Sequence, residues 1–406
     1  MNSADSLRVA AALENLGYQT SPKPESADVI VLNTCVVRQS AEDKAVGRLT
    51  SLKSLKTSHP DKVINLMGCM VGIRGAAELR ERFPYVDVFS QPSDPRPLID
   101  FLSDPKSQEK DRQQHIEDIL DEEFAYTLPN SRKETLVSAL LPVVFGCSHA
   151  CSYCVIPQAR GPSCSMRLDE VVEQIRILGA AGYREVVLTG IHLGMWGRDT
   201  GEGTLADLLA ALTAIPNGPR IRVSSTEPME ITDRVLEVVA QAGCRIAPHF
   251  HVPLQSGSDR VLRMMNRPYS SSQYAERVNA IRRRFPEAAI GADVIVGFPG
   301  ETDHDFGCTL ELVARLPLTH VHVFAYSDRR GTPASALESK VQPEIIKARS
   351  RELRSLGGLK RMGFLAALEG RVLEVLVLQR RAENGLREGL SGNYVNVHFP
   401  GGEGAM

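Results

Sequence analysis

The sequence predicts an α/β protein in three parts. These are a small parallel α/β domain over 1–103, a partial (β/α)6 barrel over 136–368, and an all-β segment over 369–406. Three observations predict this. Helical and short apolar segments alternate through the first part. A strand-then-helix pattern repeats about six times in the middle. From Glu369 the pattern turns to β, in GRVLEVLVLQ and YVNVHFPGG.

The elements follow in order. A helix at 5–17 leads to a strand at Val29–Leu32, and a helix near 40–57 to a strand at Val63–Met67. A helix at 75–82 precedes a third strand at Val86–Phe89. Residues 104–135 carry nine acids and five bases with little apolar content, which suits a linker. The six barrel strands fall at Leu140–Val144, Glu185–Leu188, Arg220–Ser224, His249–Val252, Gly291–Val296 and His320–Phe324. Helical patterns such as LDEVVEQIRILGAAG and ITDRVLEVVAQAG come between them. In such sheets ligands bind on the loops at the carboxyl ends of the strands.

Composition narrows the class. The chain has 406 residues, 43% hydrophobic and 24% charged, as expected of a globular protein of two or three domains. No apolar run reaches the roughly 18 residues of a membrane span, and the N-terminus reads as an amphipathic helix, not a leader. Eight cysteines suit a reducing, cytoplasmic setting and metal ligation more than a disulfide framework. A net charge of −2 argues against wholesale coating of nucleic acid, but it hides a local excess. Residues 329–381 hold twelve Lys/Arg against five Asp/Glu, either a nucleic-acid surface or a solvated face.

The most informative motif is FGCSHACSYCVIPQARGP, where Cys147, Cys151 and Cys154 are spaced C-x3-C-x2-C. A structural zinc site needs four protein ligands. A 4Fe–4S cluster on three thiolates leaves one iron free to bind a small molecule and pass it an electron. His149 inside the loop keeps a zinc reading open. Cys164, Cys244 and Cys308 lack partner spacing and read as structural or incidental.

This loop resembles the signature of the radical S-adenosylmethionine superfamily, with Tyr153 before the third cysteine. Val155, Ile156, Pro157, Arg160 and Gly161 make it similar to the methylthiotransferase form. LTGIHLGMWG, RVSSTEP, HFHVPLQSGSDRVLRMMNR, DVIVGFPGET and HVHVFAYSDRRGTPA match that family in order, from about 140 to 335. The resemblance implies a radical SAM barrel whose open iron chelates S-adenosylmethionine. It also implies an auxiliary 4Fe–4S cluster on three N-terminal cysteines. Cys35 in NTC and Cys69 in GCM match two of these, and the opening MNSADS matches residues just after the first. The chain is therefore expected to lack the first strand and one ligand, through a mis-assigned start or a fragment. The tail resembles the start of TRAM, a small RNA-binding β-barrel, also clipped.

At the strand ends, Thr189 and Gly190 are expected near the methionine end of the cofactor. Ser224 and Glu227 suit its ribose or amino group, and Gly297 and Glu301 a turn against adenine. Arg160 and Arg167 remain as further contacts, and His249 and His251 share one strand face. Arg329, Arg330, Arg380 and Arg381 flank the basic junction and are the expected RNA contacts.

The family implies a monomeric cytoplasmic enzyme, with no membrane partner, that acts on a tRNA anticodon loop. An electron donor such as flavodoxin or ferredoxin would serve it. The expected reaction adds a methylthio group to C2 of a modified adenosine at tRNA position 37. SSTEP, LTGIHLG and HVFAYSDRRGTPA favour the branch acting on N6-threonylcarbamoyladenosine. NTCVVRQSAEDKA and GCMVG lean towards N6-isopentenyladenosine. A branch modifying a ribosomal-protein aspartate fits less well. A non-catalytic RNA-binding relic is the reading from a different class.

Overall fold

The computed structural model describes residues 1–103, 137–381 and 385–401, without the side chains of 380 and 381. The expected linker at 104–135 lies outside the described residues. Contacts divide the chain into two compact units. The first holds 1–103 with 146–148 and 154–162, and the second holds the other described residues.

In the first unit, β1 (Val29–Thr34), β2 (Val63–Gly68) and β3 (Val88–Ser90) form a parallel sheet in that order. Val9, Met67, Val88 and Leu98 form a core that Leu13, Val29, Val31 and Val63 extend. The first helix runs Asn2–Asn15, ending earlier than expected. Gly17, at φ +88°, closes it. Tyr18 N–H bonds Leu13 C=O (3.0 Å) and Gly17 N–H bonds Glu14 C=O (2.9 Å), a Schellman stop. The helix expected at 75–82 begins instead at Cys69 and runs to Arg82, with a break at Gly75 (φ 76°). The chain thus passes from β2 into a helix with no loop between, and Cys69 is the first helical residue.

In the second unit, β4 (Ser138–Phe145), β6 (Glu185–Gly190) and β7 (Arg220–Val223) pair in parallel. So do β8 (His249–His251), β9 (Ala289–Val296) and β10 (His320–Ala325). Parallel bridges Ile221–Ile246 and Ser225–His251 join the two sets. The six strands stand in sequence order, and β5 (Cys164–Ser165) runs antiparallel on β4. Among the described residues β4 does not pair with β10, so the sheet is a curled half-barrel. Amphipathic helices return the chain between strands. Ser258, Ser270 and Thr302 cap three of them by accepting backbone N–H groups. The last helix, Pro343–Ala366, packs on β10, where Gly357 lies against Val321.

The C-terminal residues form an antiparallel sheet, β11 (Val375–Arg381), β12 (Arg387–Ser391) and β13 (Asn396–Phe399). A buried charge cluster seats it on the barrel. Glu185, 1% exposed, accepts Arg220 Nε (2.8 Å) and Arg222 Nη2 (2.9 Å). The same guanidiniums donate to Leu390, Ser391 and Gly392 carbonyls. Burial pushes the Glu185 pKa up, but the bonds and charges of Arg222 and Arg220 outweigh it and hold it below the ordinary value. Its contribution is therefore full above the unfolded carboxylate value and fades as pH falls through the lower folded value. Glu185→Ala removes the buried carboxylate that Arg220 and Arg222 share, leaves Arg220 the exposed Glu374 at 4.0 Å, and is expected to cost about 3–5 kcal/mol in denaturant unfolding at pH 7. The gap to the unmodified protein should narrow below about pH 4.

Candidate active site

Strand β4 ends in Gly146, at φ +62°, a left-handed turn that opens the cysteine loop. A Cβ there would lie 2.7 Å from the Gly161 carbonyl oxygen. Cys147 N–H then bonds that carbonyl at 3.0 Å and closes the loop on itself. Any larger residue at 146 would prise this closure apart. Cys154 Sγ accepts Ile156 N–H at 3.5 Å, at the start of the short helix Ile156–Arg160.

Within the second unit, segment 149–153 is clamped by the MMNR run. Ser152 N–H and Oγ–H bond the carbonyls of Met265 (3.1 Å) and Met264 (2.7 Å). Asn266 donates to Ala150 C=O at 2.7 Å. Arg267 Nη1 donates to Cys151 Sγ at 3.0 Å, while Nη2 pairs with the Glu227 carboxylate. Its Nε donates to Tyr269 Oη at 3.2 Å, and Tyr269 bonds the Pro253 carbonyl at 3.1 Å. Burial raises the Glu227 pKa above the carboxylate value, against the pull of Arg267. Tyr153 packs edge-on to Phe298, and burial pushes its phenol well up.

His149 stacks edge-on to His192 at 4.0 Å between ring centres, and His192 Nε2 lies 2.5 Å from Glu230 Oε1. Burial and the neighbouring His192 lower the His149 pKa to about 4. The buried His192–Glu230 pair is what His149 meets, a partner the sequence did not disclose.

In the first unit, Cys35 follows β1 and Cys69 follows β2. The parallel register Thr34–Gly68 puts both at one sheet edge. Gly68 is at φ +99°, and a Cβ there would meet Asn33 Oδ1 and Thr34 O. Arg160, from the far arm of the cysteine loop, donates Nε to Cys69 Sγ at 3.3 Å. Its side chain is 4% exposed and pairs with Asp5 at 2.7 Å. Ser93 Oγ ties the pair from both sides, accepting from Arg160 and donating to Asp5. Burial pushes the Cys69 thiol up, while Arg160 pulls it down.

The other expected residues lie where the strand order puts them. Thr189 and Gly190 close β6, Ser224 and Glu227 follow β7, and Gly297 and Glu301 follow β9, all at the carboxyl edge. Glu301, however, does not present its carboxylate. It accepts Gly297 N–H (2.8 Å) and pairs with buried Arg349 (2.7 Å), pinning the turn to the last helix. Arg167 is exposed and pairs with Asp169 and Glu202. Arg329 is 7% exposed, so it is a buried side chain and not the surface phosphate contact expected. Arg330 is exposed. The side chains of Arg380 and Arg381 lie outside the described residues. Arg267, Asp5 and Ser93 were missed. A buried arginine beside a cysteine has no local spacing signal, since its partners come from distant segments.

Comparison with known proteins agrees with this geometry. Residues 141–313 match the Radical SAM superfamily, and 1–90 match Uncharacterized protein family UPF0004. The tRNA-2-methylthio-N(6)-dimethylallyladenosine synthase of Desulforamulus reducens is 37% identical over 381 residues, 93% of this chain and 82% of that one. The synthase of the same name from Dictyoglomus thermophilum is 38% identical over 363 residues, 88% and 80%. This chain belongs to the radical S-adenosylmethionine methylthiotransferase family. It is an enzyme of that class, with S-adenosylmethionine and 4Fe–4S clusters as its cofactors. The methyltransferase TsrM from Kitasatospora setae shares the fold, with TM-score 0.59 at 15% identity over 81% of this chain and 73% of that one.

The expected threonylcarbamoyl branch is overturned, because these relatives are named for the dimethylallyl compound. The motifs that suggested it sit at strand ends and hold backbone turns or ion pairs, as Glu227 does with Arg267. The N-terminal motifs leaned the other way.

The thiol environments differ enough to test. In metal-free protein, iodoacetamide at neutral pH should alkylate the exposed Cys244 ahead of Cys164, whose thiol burial, Asp199 and Glu170 push up, and the buried Cys69 and Cys147 last, read by peptide mass spectrometry.

Proposed function

We propose that this methylthiotransferase acts on tRNA and adds a methylthio group to C2 of N6-dimethylallyladenosine in the anticodon loop, at position 37. The names of its relatives support this reading. The observations that carry it are the three-cysteine loop that follows β4 and, taken by itself, the edge of the N-terminal sheet that brings Cys35 and Cys69 together. The donor set fits the cofactors. Three thiols in eight residues, one already accepting an arginine N–H, suit a cluster with an open iron.

Cys147, Cys151 and Cys154 would hold the cluster that meets S-adenosylmethionine, and Cys35 and Cys69 would serve an auxiliary one. When bound, these groups supply one-electron cleavage of S-adenosylmethionine and radical abstraction of hydrogen from an aromatic carbon that acid–base chemistry cannot activate. The chain's own residues position. Arg267 links Cys151 to Glu227, so the cysteine loop and the turn after β7 move together. Arg160 steadies Cys69 against Asp5. Thr189, Gly190, Ser224 and Gly297 line the strand ends where the cofactor would lie. A loop adenosine, unstacked from its neighbours, would reach these strand-end loops. Arg330 and the exposed Lys347 and Arg351 of the last helix supply phosphate contacts. A low-potential donor such as flavodoxin or ferredoxin would supply the electron.

Nucleoside mass spectrometry tests the substrate. tRNA from a deletion strain complemented with this protein should regain the 2-methylthio form of dimethylallyladenosine. Recovery of only another methylthio nucleoside would overturn the assignment. Triple alanine replacement of Cys147, Cys151 and Cys154 should abolish 5′-deoxyadenosine formation in reconstituted protein. Arg267→Met should keep the iron content but shift the midpoint potential of that cluster to lower values, seen by electron paramagnetic resonance titration, through loss of a hydrogen bond to sulfur.

A further inference from the structure

A second set of donors lies on the barrel strands, and none of the cysteines belongs to it. His251 on β8, Asp293 on β9 and His322 on β10 stand on one sheet face. Parallel pairing sets His251 beside Gly291 and His322 beside Asp293, and side chains two apart on a strand share a face. His251 Nε2 is 2.9 Å from Asp293 Oδ1, and His322 Nδ1 is 3.4 Å from the same oxygen. The three donor atoms all lie within 4.8 Å of one another.

The 3.4 Å separation of His322 Nδ1 and Asp293 Oδ1 is that of two ligands on one ion, and the 2.9 Å contact of His251 is a hydrogen bond that an ion would replace. Two donors on a tetrahedral ion with bonds of about 2.1 Å stand roughly 3.4 Å apart. The donor types match as well. Two imidazoles and one carboxylate suit a divalent first-row ion, and leave at least one position open. His322 has 56% of its side chain exposed, so that position has access from outside. His251 and Asp293 are 12% and 26% exposed, so the other two ligands are held in the wall. Three adjacent strands supply one ligand each, a rigid frame that needs little rearrangement on binding. Gly291 keeps the space beside His251 clear, since a Cβ there would come within 2.8 Å of His251 Nδ1.

We propose that His251, Asp293 and His322 form a divalent metal site in the barrel wall, separate from the cysteine sites, with zinc(II) or a similar ion held by two nitrogens and one oxygen. An open position would take water. The site stands independently of the substrate proposed above.

Zinc(II) is the probe. Cluster-reconstituted protein, freed of loose metal with a chelator and desalted, is titrated with zinc(II) by calorimetry and assayed for zinc after gel filtration. One equivalent beyond the iron should bind and remain. Asp293→Asn and His322→Ala should each weaken binding by at least about 10–100-fold, the loss common for a partner one shell further out. Iron content and melting temperature are measured alongside. Because His322 is half exposed, its variant should fold even where Asp293→Asn does not. Unmodified protein supplies a second readout, as zinc should shield His251 and His322 from diethylpyrocarbonate, mapped by mass spectrometry. No retained zinc in the unmodified protein overturns the site. So does uptake that is unchanged in His322→Ala, or that disappears only when cysteines are replaced. The three residues are then a hydrogen-bonded network alone.

Discussion

Parallel pairing is the constraint on which the rest depends. Once strands run the same way, all their carboxyl ends fall on one edge of the sheet, and each following loop must begin there. In the barrel this sets the cysteine loop, Thr189–Gly190, Ser224–Glu227 and Gly297–Glu301 along one rim. In the N-terminal sheet it sets Cys35 beside Cys69, through the register Thr34–Gly68. Neither grouping needs the residues to be near in sequence.

Buried arginines then turn these loops into fixed objects. Arg267 joins Cys151 to Glu227, Arg160 joins Cys69 to Asp5, Arg349 holds Glu301, and Arg222 with Arg220 holds Glu185. Burying such pairs gains little net stability, because desolvation offsets the attraction. Breaking one partner is costly, so each pair selects one loop arrangement over its alternatives. Both cysteine-bearing units use the same device, an arginine N–H pointed at a sulfur and backed by a carboxylate. Hydrogen bonds of this kind also govern the electronics of a metal held there.

The barrel wall shows a different arrangement. His249, His251, Asp293, His320 and His322 put imidazoles on three adjacent strands, and Tyr394 from the C-terminal sheet stacks on His249. His322 is held above the usual histidine value, first by its hydrogen bond to Asp293, while burial lowers His320 to about 4. Neighbouring imidazoles on one face are thus shifted in opposite directions.

Much was legible in the chain itself. Alternating patterns placed six barrel strands to within a few residues, because period-two and period-3.6 burial is a local property. The C-x3-C-x2-C loop was legible for the same reason, since its three thiols lie within eight residues. Helix boundaries at Gly17 and Gly75 were read less well. There a single left-handed glycine decides where the helix stops or breaks. Tertiary structure alone decided that Arg329 is buried, that Glu301 is occupied by Arg349, and that Arg267 and Arg160 reach Cys151 and Cys69. Those facts depend on contacts across 48 to 116 positions of sequence, where only the folded register says which charge meets which partner.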